Sequence, residues 1–573
     1  MTGGLMQLVG KGAQDQLIVG NPSFTHFRSV YKKHTDFAME HFRLVFKTTN
    51  LNLPQSGSLT LRAKVERYAQ LLHDCYLTVT LPNIYSPVSP ITPGVHPEVN
   101  ALADAIGYEF QWVRNIGYNM INYVAILING QEIVRHTGEW MKLYSNLKFD
   151  GNKKDVLDRM MGNIPELYDP ANAFDRVNQY PHAISSNVAY AEPSIPGRIL
   201  HIPLHFWFCE NIGAALPLVA LQHSEVEIVV ELKNLYQLFT IRDVRDSDPA
   251  GTFGKRVAPN AAFPEFNISK FLSPPLYLNP TAPIQVVNPD LRTWNLNPYI
   301  EANYIFLTDA EMIHIAKNDH SFPIHQIDAK QTHGQHGSSN DLELTMRNLC
   351  TRIIWVAQRS DRALENDHDN YTNWEDPYKP PLDSTALVFM TPWYSSGVSA
   401  STGVSARDIL LESSVILDGK ERFSPKTTNF FSELQNYRHH TGKSTTAIPG
   451  IYSYSFALDH HTTQPSGHIN GSMFNKTILR NTYVQPPLTS PTTTTTVCVL
   501  KSTANNANPT VVLNPNVVDP DTGKPLYSPD QLVTIIRKGD AQKLQYSYNV
   551  RAYVESYNYL RVLGGVANVV FSS

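Results

Sequence analysis

Twenty-one histidines make metal binding the first chemistry to test in this sequence. His201 and His205 stand four apart in ILHIPLHFWF. In an extended chain they share a face but sit about 13 Å apart at ~3.3 Å per residue, too far to hold one ion. His325, His333 and His336 fall in HQIDAKQTHGQHG, and the chain has no His-x-His pair followed by Glu. The doublets His439-His440 and His460-His461 send adjacent side chains to opposite sides of an extended chain. Histidine is therefore plentiful without a visible ligand set, and we expect no metal and no cofactor. Other catalytic patterns fail as well. There is no His-Glu-x-x-His, and SSGVSASTGVSA lacks a Gly-x-Ser-x-Gly elbow. NDHDNYTNWEDPY is acidic but lacks the Gly and terminal Glu of a calcium loop. Cys75, Cys209, Cys350 and Cys498 form no Cys-x-x-Cys pair, and their sparsity suits a reducing compartment. Asn267, Asn370, Asn470 and Asn475 begin Asn-x-Ser/Thr triplets and are candidate glycosylation sites. The expectation is a protein that is not an enzyme.

The opening GGLMQLVGKGAQDQLIVGNPSFTHFRSVYKKHTDFAMEHF raises three further chemistries. A phosphate loop is excluded because the spacing from Gly4 to Gly10 is one residue too long and Gly12 stands where Ser or Thr is needed. A signal peptide needs a basic start and an unbroken apolar core, and Gln7, Gly10 and Lys11 interrupt this one. Myristoylation needs Gly after Met1, where Thr2 stands. An extended arm is what remains. The net charge of −4 gives no basic excess for gripping nucleic acid. No apolar run reaches the roughly 20 residues of a membrane-spanning helix.

The elements that must position these residues are mostly strands. LQYSYNVRAYV alternates Leu544, Tyr546, Tyr548, Val550, Ala552 and Val554 against a wetter set that includes Arg551 and Tyr553. SLTLRAKVER, YLTVTLP, VEIVVEL and IYSYSFAL alternate in the same way. Many strands among Pro-rich loops predict antiparallel sandwiches. Short helices are expected at TDAEMIHIAK, with a capping box of Thr308 and Glu311, at GEWMKLYSNL and at FFSELQNY. Two stretches repeat one plan of strand, turn, strand and helix. Their turns are Asn129-Gly130 and Asp418-Gly419, the pairs preferred where both central residues need positive φ. A hairpin plus helix recurring at long range suggests one domain present twice.

Taken in order, several blocks resemble the major capsid proteins of nucleocytoplasmic large DNA viruses. They are the opening stretch, INGQEIVRHTGEW, IPLHFWFCENIGAALPLVALQHSEVEI, TDAEMIHIAKNDHSFPIHQI, SSVILDGKERF, YSYSFALDHHTTQPSG and SYNYLRVLGGVANVVFSS. The resemblance implies an all-β fold of two tandem eight-stranded antiparallel jelly rolls with few short helices and long loops. The expected layout is an arm at 1–36, a first jelly roll at 37–240, a connection at 241–296 and a second jelly roll at 297–573. A long surface loop is expected near 486–540. The implied function is a homotrimeric capsomer that packs against neighbouring capsomers in an icosahedral shell. The chain would be made and assembled in the host cytoplasm and would end in the virion. Partners implied for the arm are minor capsid proteins and the internal virion membrane, with no direct nucleic acid. Arg28, Lys32, Lys33 and His34 are then candidates to meet acidic partners or lipid headgroups. Two other readings remain: a scaffold or minor capsid protein of the same fold, and a carbohydrate-binding sandwich using Trp374 or Trp393.

Overall fold

The computed structural model describes residues 3–48, 51–86, 109–176, 180–183, 192–242, 256–263, 266–273, 294–337, 339–374, 377–378, 407–442, 448–462, 464–484, 496–500, 511–512, 532–537 and 546–571. Sixteen of the described strands build two sandwiches and are numbered here in chain order. The first eight are β1 (Phe37–Val45), β2 (Leu59–Lys64), β3 (Leu71–Leu81), β4 (Ile121–Ile128), β5 (Gln131–Thr137), β6 (Arg198–Pro203), β7 (Val226–Leu232) and β8 (Tyr299–Leu307). The second eight are β9 (His320–Gln335), β10 (Asn340–Leu344), β11 (Leu349–Arg359), β12 (Leu410–Leu417), β13 (Lys420–Glu421), β14 (Ile451–Ser455), β15 (Thr477–Tyr483) and β16 (Tyr548–Leu563).

Sheet order shows the duplication directly. The first sandwich pairs β1-β8-β3-β6 in one sheet and β2-β7-β4-β5 in the other. The second pairs β9-β16-β11-β14 and β10-β15-β12-β13, which is the same order advanced by eight strands. All these pairings are antiparallel. This is a double jelly roll. The period-two pattern explains why these stretches are strands. Val226, Ile228, Val230 and Leu232 of β7 are 0–3% exposed, while Glu227 and Glu231 between them reach solvent in part. Both predicted hairpin turns form, with φ of 52° and 78° at Asn129-Gly130 and 46° and 82° at Asp418-Gly419.

Several expectations need correction. Tyr299–Leu307 was expected to open the second jelly roll, but as β8 it pairs with β1 and β3 in the first. It fills a gap that would otherwise leave two unpaired edges in that sheet. The stretch expected as a connection also contributes to the first half: Phe239–Arg242 pairs with Phe110–Trp112 and with Arg256–Val257. The loop expected near 486–540 carries a three-stranded antiparallel sheet of Thr496–Leu500, Val511–Val512 and Leu532–Arg537. A helix does run over Asp309–Lys317 after Thr308, but the Thr308 side chain makes no capping bond.

The cores are continuous across the two halves. Buried side chains of the first sandwich pack on into Ile354, Val356, Tyr371, Ile448 and Tyr553 of the second. A separate cluster around Trp355, Tyr452 and Tyr548 fills the second sandwich.

Candidate functional site: the seam between the sandwiches and the amino-terminal arm

A dense group of buried polar side chains lies where the two sandwiches meet. The helix Gly138–Lys148 follows β5 and crosses this seam. Thr137 starts it by accepting a bond from the Trp140 amide. Gly138 is required there, because a Cβ would stand 2.2 Å from the Tyr118 carbonyl oxygen. Glu139, Lys142 and Asn146 recur at helical spacing and turn one face towards the second sandwich. Lys142 donates to Asp369 Oδ1 at 2.5 Å, to Asn119 Oδ1 at 3.1 Å and to the His368 carbonyl at 3.2 Å. Asn115 and Asn119 also donate to Asp369. Burial pushes Asp369 upward, but Lys142 and the two amides outweigh it and hold the carboxyl below its ordinary range. Glu139 accepts from Tyr371 at 2.7 Å and Tyr553 at 2.5 Å, and pairs with Arg551 at 2.6 Å. The Gly442 amide reaches the Leu147 carbonyl at 2.8 Å, which extends the contact to the helix end.

A second group surrounds a cavity of about 90 Å³ on the same seam, lined by His136, His205 and Lys148 of the first sandwich and His325, His461 and Glu555 of the second. Arg352 is fully buried and donates to Glu555 at 2.6 Å. His325 Nδ1 lies 2.9 Å from the other oxygen of Glu555. Burial raises Glu555, but Arg352 and His325 overcome it and hold the carboxyl well below its ordinary range. Burial also drives His136 and His461 down to about 4 and His205 well below its ordinary value, so these rings are neutral in the fold. His440 lies 5.4 Å from His460 and 5.6 Å from His461, ring centre to ring centre. The fold thus brings together doublets that sequence spacing kept apart. Among the described residues no three His, Cys, Asp or Glu side chains converge on a metal position. His201 lies in β6, whereas His205 leaves the strand with φ of 52° and meets Tyr118 Oη at 2.6 Å. Cys75 and Cys209 also meet, and their contact together with burial pushes the Cys75 thiol well up.

Sequence reasoning missed the seam residues because its patterns describe one element at a time. The only local signals were a lysine inside the apolar run EWMKLYSNL and charges within the aromatic strand YNVRAYVESYNYL. These buried ion pairs and hydrogen bonds tie the two sandwiches together.

The predicted arm residues Arg28, Lys32, Lys33 and His34 are all exposed, as is every residue from 3 to 40. Helices Gly3–Val9 and Gln16–Val19 bury nothing, with Leu17 and Ile18 each 89% exposed and Phe27 100% exposed. Among the glycosylation candidates, Asn470 and Asn475 are exposed and Asn267 is half-buried. Asn370 is a correction: it is 0% exposed, donates to the Trp374 carbonyl and accepts from Thr372, leaving no room for a glycan in the folded chain. Trp374 is half-buried, and Trp393 lies outside the described residues.

Comparison with known proteins agrees with this architecture. Residues 25–259 match the model of the major capsid protein N-terminus, and residues 311–519 match that of the large eukaryotic DNA virus major capsid protein. The chain is 26% identical to probable capsid protein 4 of Acanthamoeba polyphaga mimivirus, over 82% of this chain and 91% of that one. It is also 26% identical to the major capsid protein of Phaeocystis pouchetii virus, over 84% and 92%. The solved Faustovirus major capsid protein superposes with a TM-score of 0.58 at 13% identity, covering 98% of this chain and 96% of that one. With two family models matched in order along a double jelly roll, the chain belongs to the major capsid protein family of nucleocytoplasmic large DNA viruses, and its role is structural rather than enzymatic.

Proposed function

We propose that three copies of this chain close into a pseudo-hexagonal capsomer, and that such capsomers tile the icosahedral shell of a large DNA virus. The observation that carries this reading is the duplicated strand order, β1-β8-β3-β6 with β2-β7-β4-β5 and its repeat eight strands later. Two similar sandwiches per chain give six similar wedges per trimer, and a body with six similar sides packs on a hexagonal lattice. The seam supports it, because a rigid junction lets one chain act as two adjacent wedges. Contacts within the trimer are expected to be large and apolar, above ~2,000 Å², and those between capsomers smaller. The arm carries Arg28, Lys32, Lys33 and His34 towards minor capsid proteins and the internal virion membrane. Domain bounds in this reading are an arm to 36, a first sandwich closed by β8, and a second from β9 onward. Assembly takes place in the host cytoplasm.

Light scattering on the purified full-length protein tests the capsomer. The expected mass is three chains, with compact hexagonal outlines in negative stain. A folded protein that stays at one chain, even beside co-expressed viral chaperones, would overturn the reading.

A further inference from the structure

An amine, a carboxamide and a carboxyl group meet inside the seam. Asn119 lies in the short helix Ile116–Met120 and Lys142 in the helix Gly138–Lys148, both of the first sandwich. Asp369 arrives from the second sandwich, in the loop that follows β11. The three residues are 3%, 1% and 2% exposed.

Their contacts do more than balance charge. Lys142 Nζ lies 3.1 Å from Asn119 Oδ1, so the amine rests against the carboxamide. Asp369 Oδ1 accepts from Lys142 Nζ at 2.5 Å and from Asn119 Nδ2 at 2.9 Å. One carboxylate oxygen thus touches both the nitrogen that must lose a proton and the nitrogen that must gain one when an amine displaces an amide. Tyr371 is fully buried and stands beside the ammonium, its ring centre 5.4 Å from Nζ. Burial keeps bulk water from the carboxamide, which suppresses hydrolysis as a competing reaction. Holding the amine and the carboxamide together also turns their encounter into an effectively unimolecular step.

We propose that Lys142 and Asn119 condense into an isopeptide bond, with Asp369 as the proton carrier. The Lys142 ammonium gives one proton to Asp369 Oδ1, and the freed Nζ lone pair attacks Asn119 Cγ. A bond forms between Nζ and Cγ while the bond from Cγ to Nδ2 breaks. Asp369 hands its proton to the leaving Nδ2, which departs as ammonia, and takes a second proton from Nζ. Lys142 keeps one N–H, now that of an amide, and Asp369 ends as the neutral acid. No oxidant, cofactor or other reactant is consumed, and one cation and one anion disappear together. Loss of both charges favours the product, because desolvation makes a buried ion pair costly. The carrier belongs to one sandwich and the reacting groups to the other. The bond therefore forms only after the sandwiches have docked, and it marks chains whose seam has closed.

Mass spectrometry of the denatured full-length protein tests the bond. The joined chain should weigh about 17 Da, one ammonia, less than its sequence requires. Trypsin should leave Lys142 uncut and release residues 115–135 tied to residues 136–148, with fragment ions placing the link between Asn119 and Lys142. That link also separates the bond from ring closure at Asn129-Gly130, which loses ammonia too but leaves Lys142 open to cleavage. Asp369→Asn keeps the side-chain shape but cannot carry the proton. It should hold the full mass and release residues 115–135 and 136–142 apart. A parent that releases those two peptides apart overturns the bond and leaves an ion pair alone. A joined peptide in Asp369→Asn overturns the proton carrier. The parent digest decides the bond whether or not Asp369→Asn folds.

Discussion

Lys142 is 1% exposed, and its charge is balanced inside the protein by Asp369. Removing one member of such a pair leaves the other as a buried, unpaired charge, which costs far more than the pair itself contributes. Lys142→Met is therefore expected to destabilise the protein by about 3–5 kcal/mol in urea unfolding. Adding Asp369→Asn should recover part of that loss, because the uncompensated carboxylate is gone. A Lys142→Met protein with unchanged unfolding would show that the pair does not hold the seam. In EWMKLYSNL the one local sign of its burial is that a charge stands within an apolar run. An apolar helix with one lysine ordinarily turns it to solvent, and here the second sandwich takes the place of solvent.

At the scale of elements, β16 shows what period two can and cannot say. The alternation of Tyr548, Val550, Ala552 and Val554 correctly marks the face that enters the second core. The intervening Arg551 and Tyr553 read as the wetter face, yet Tyr553 is 4% exposed, and Glu555, next in the same row, is 2% exposed. The first sandwich covers them. The seam also carries a pH dependence that no single element encodes. His136, His205 and His461 are held below the ordinary 6.5, so the folded chain keeps them neutral where the unfolded chain binds protons. Their contribution is complete above pH 6.5 and is lost as pH falls below it, down to about 4 for His136 and His461. The cations Arg352 and Lys148 face these rings and sharpen the loss, and the carboxylates Glu555 and Glu210 oppose it. Glu555 and Asp369 are themselves held low, so their loss adds only below the ordinary carboxylate range. The melting temperature should fall between pH 7 and pH 5. A flat profile there would mean that the histidines protonate without disturbing the seam.

On the scale of the whole molecule, residues 3–36 are all exposed and contribute to neither core. Deleting the residues before Arg28 is expected to leave melting and trimer mass unchanged while lowering the yield of assembled particles. Normal particle yield from the truncated chain would remove the arm from assembly. The same scale explains why β8 could not be assigned by position. Its sequence follows a long excursion and directly precedes the helix Asp309–Lys317, so it reads as the start of the second half. Only the open place between β1 and β3 shows that it closes the first.

The sequence by itself determined the clearly alternating strands, both hairpin turns, the duplication and the family resemblance, because side-chain alternation and positive φ are local properties of the chain. The tertiary structure alone decided which strand closes which sandwich, which polar face is buried, and that His440 meets His460 and His461. Those outcomes depend on which surface covers another, and residues far apart in sequence settle that only when the two sandwiches pack.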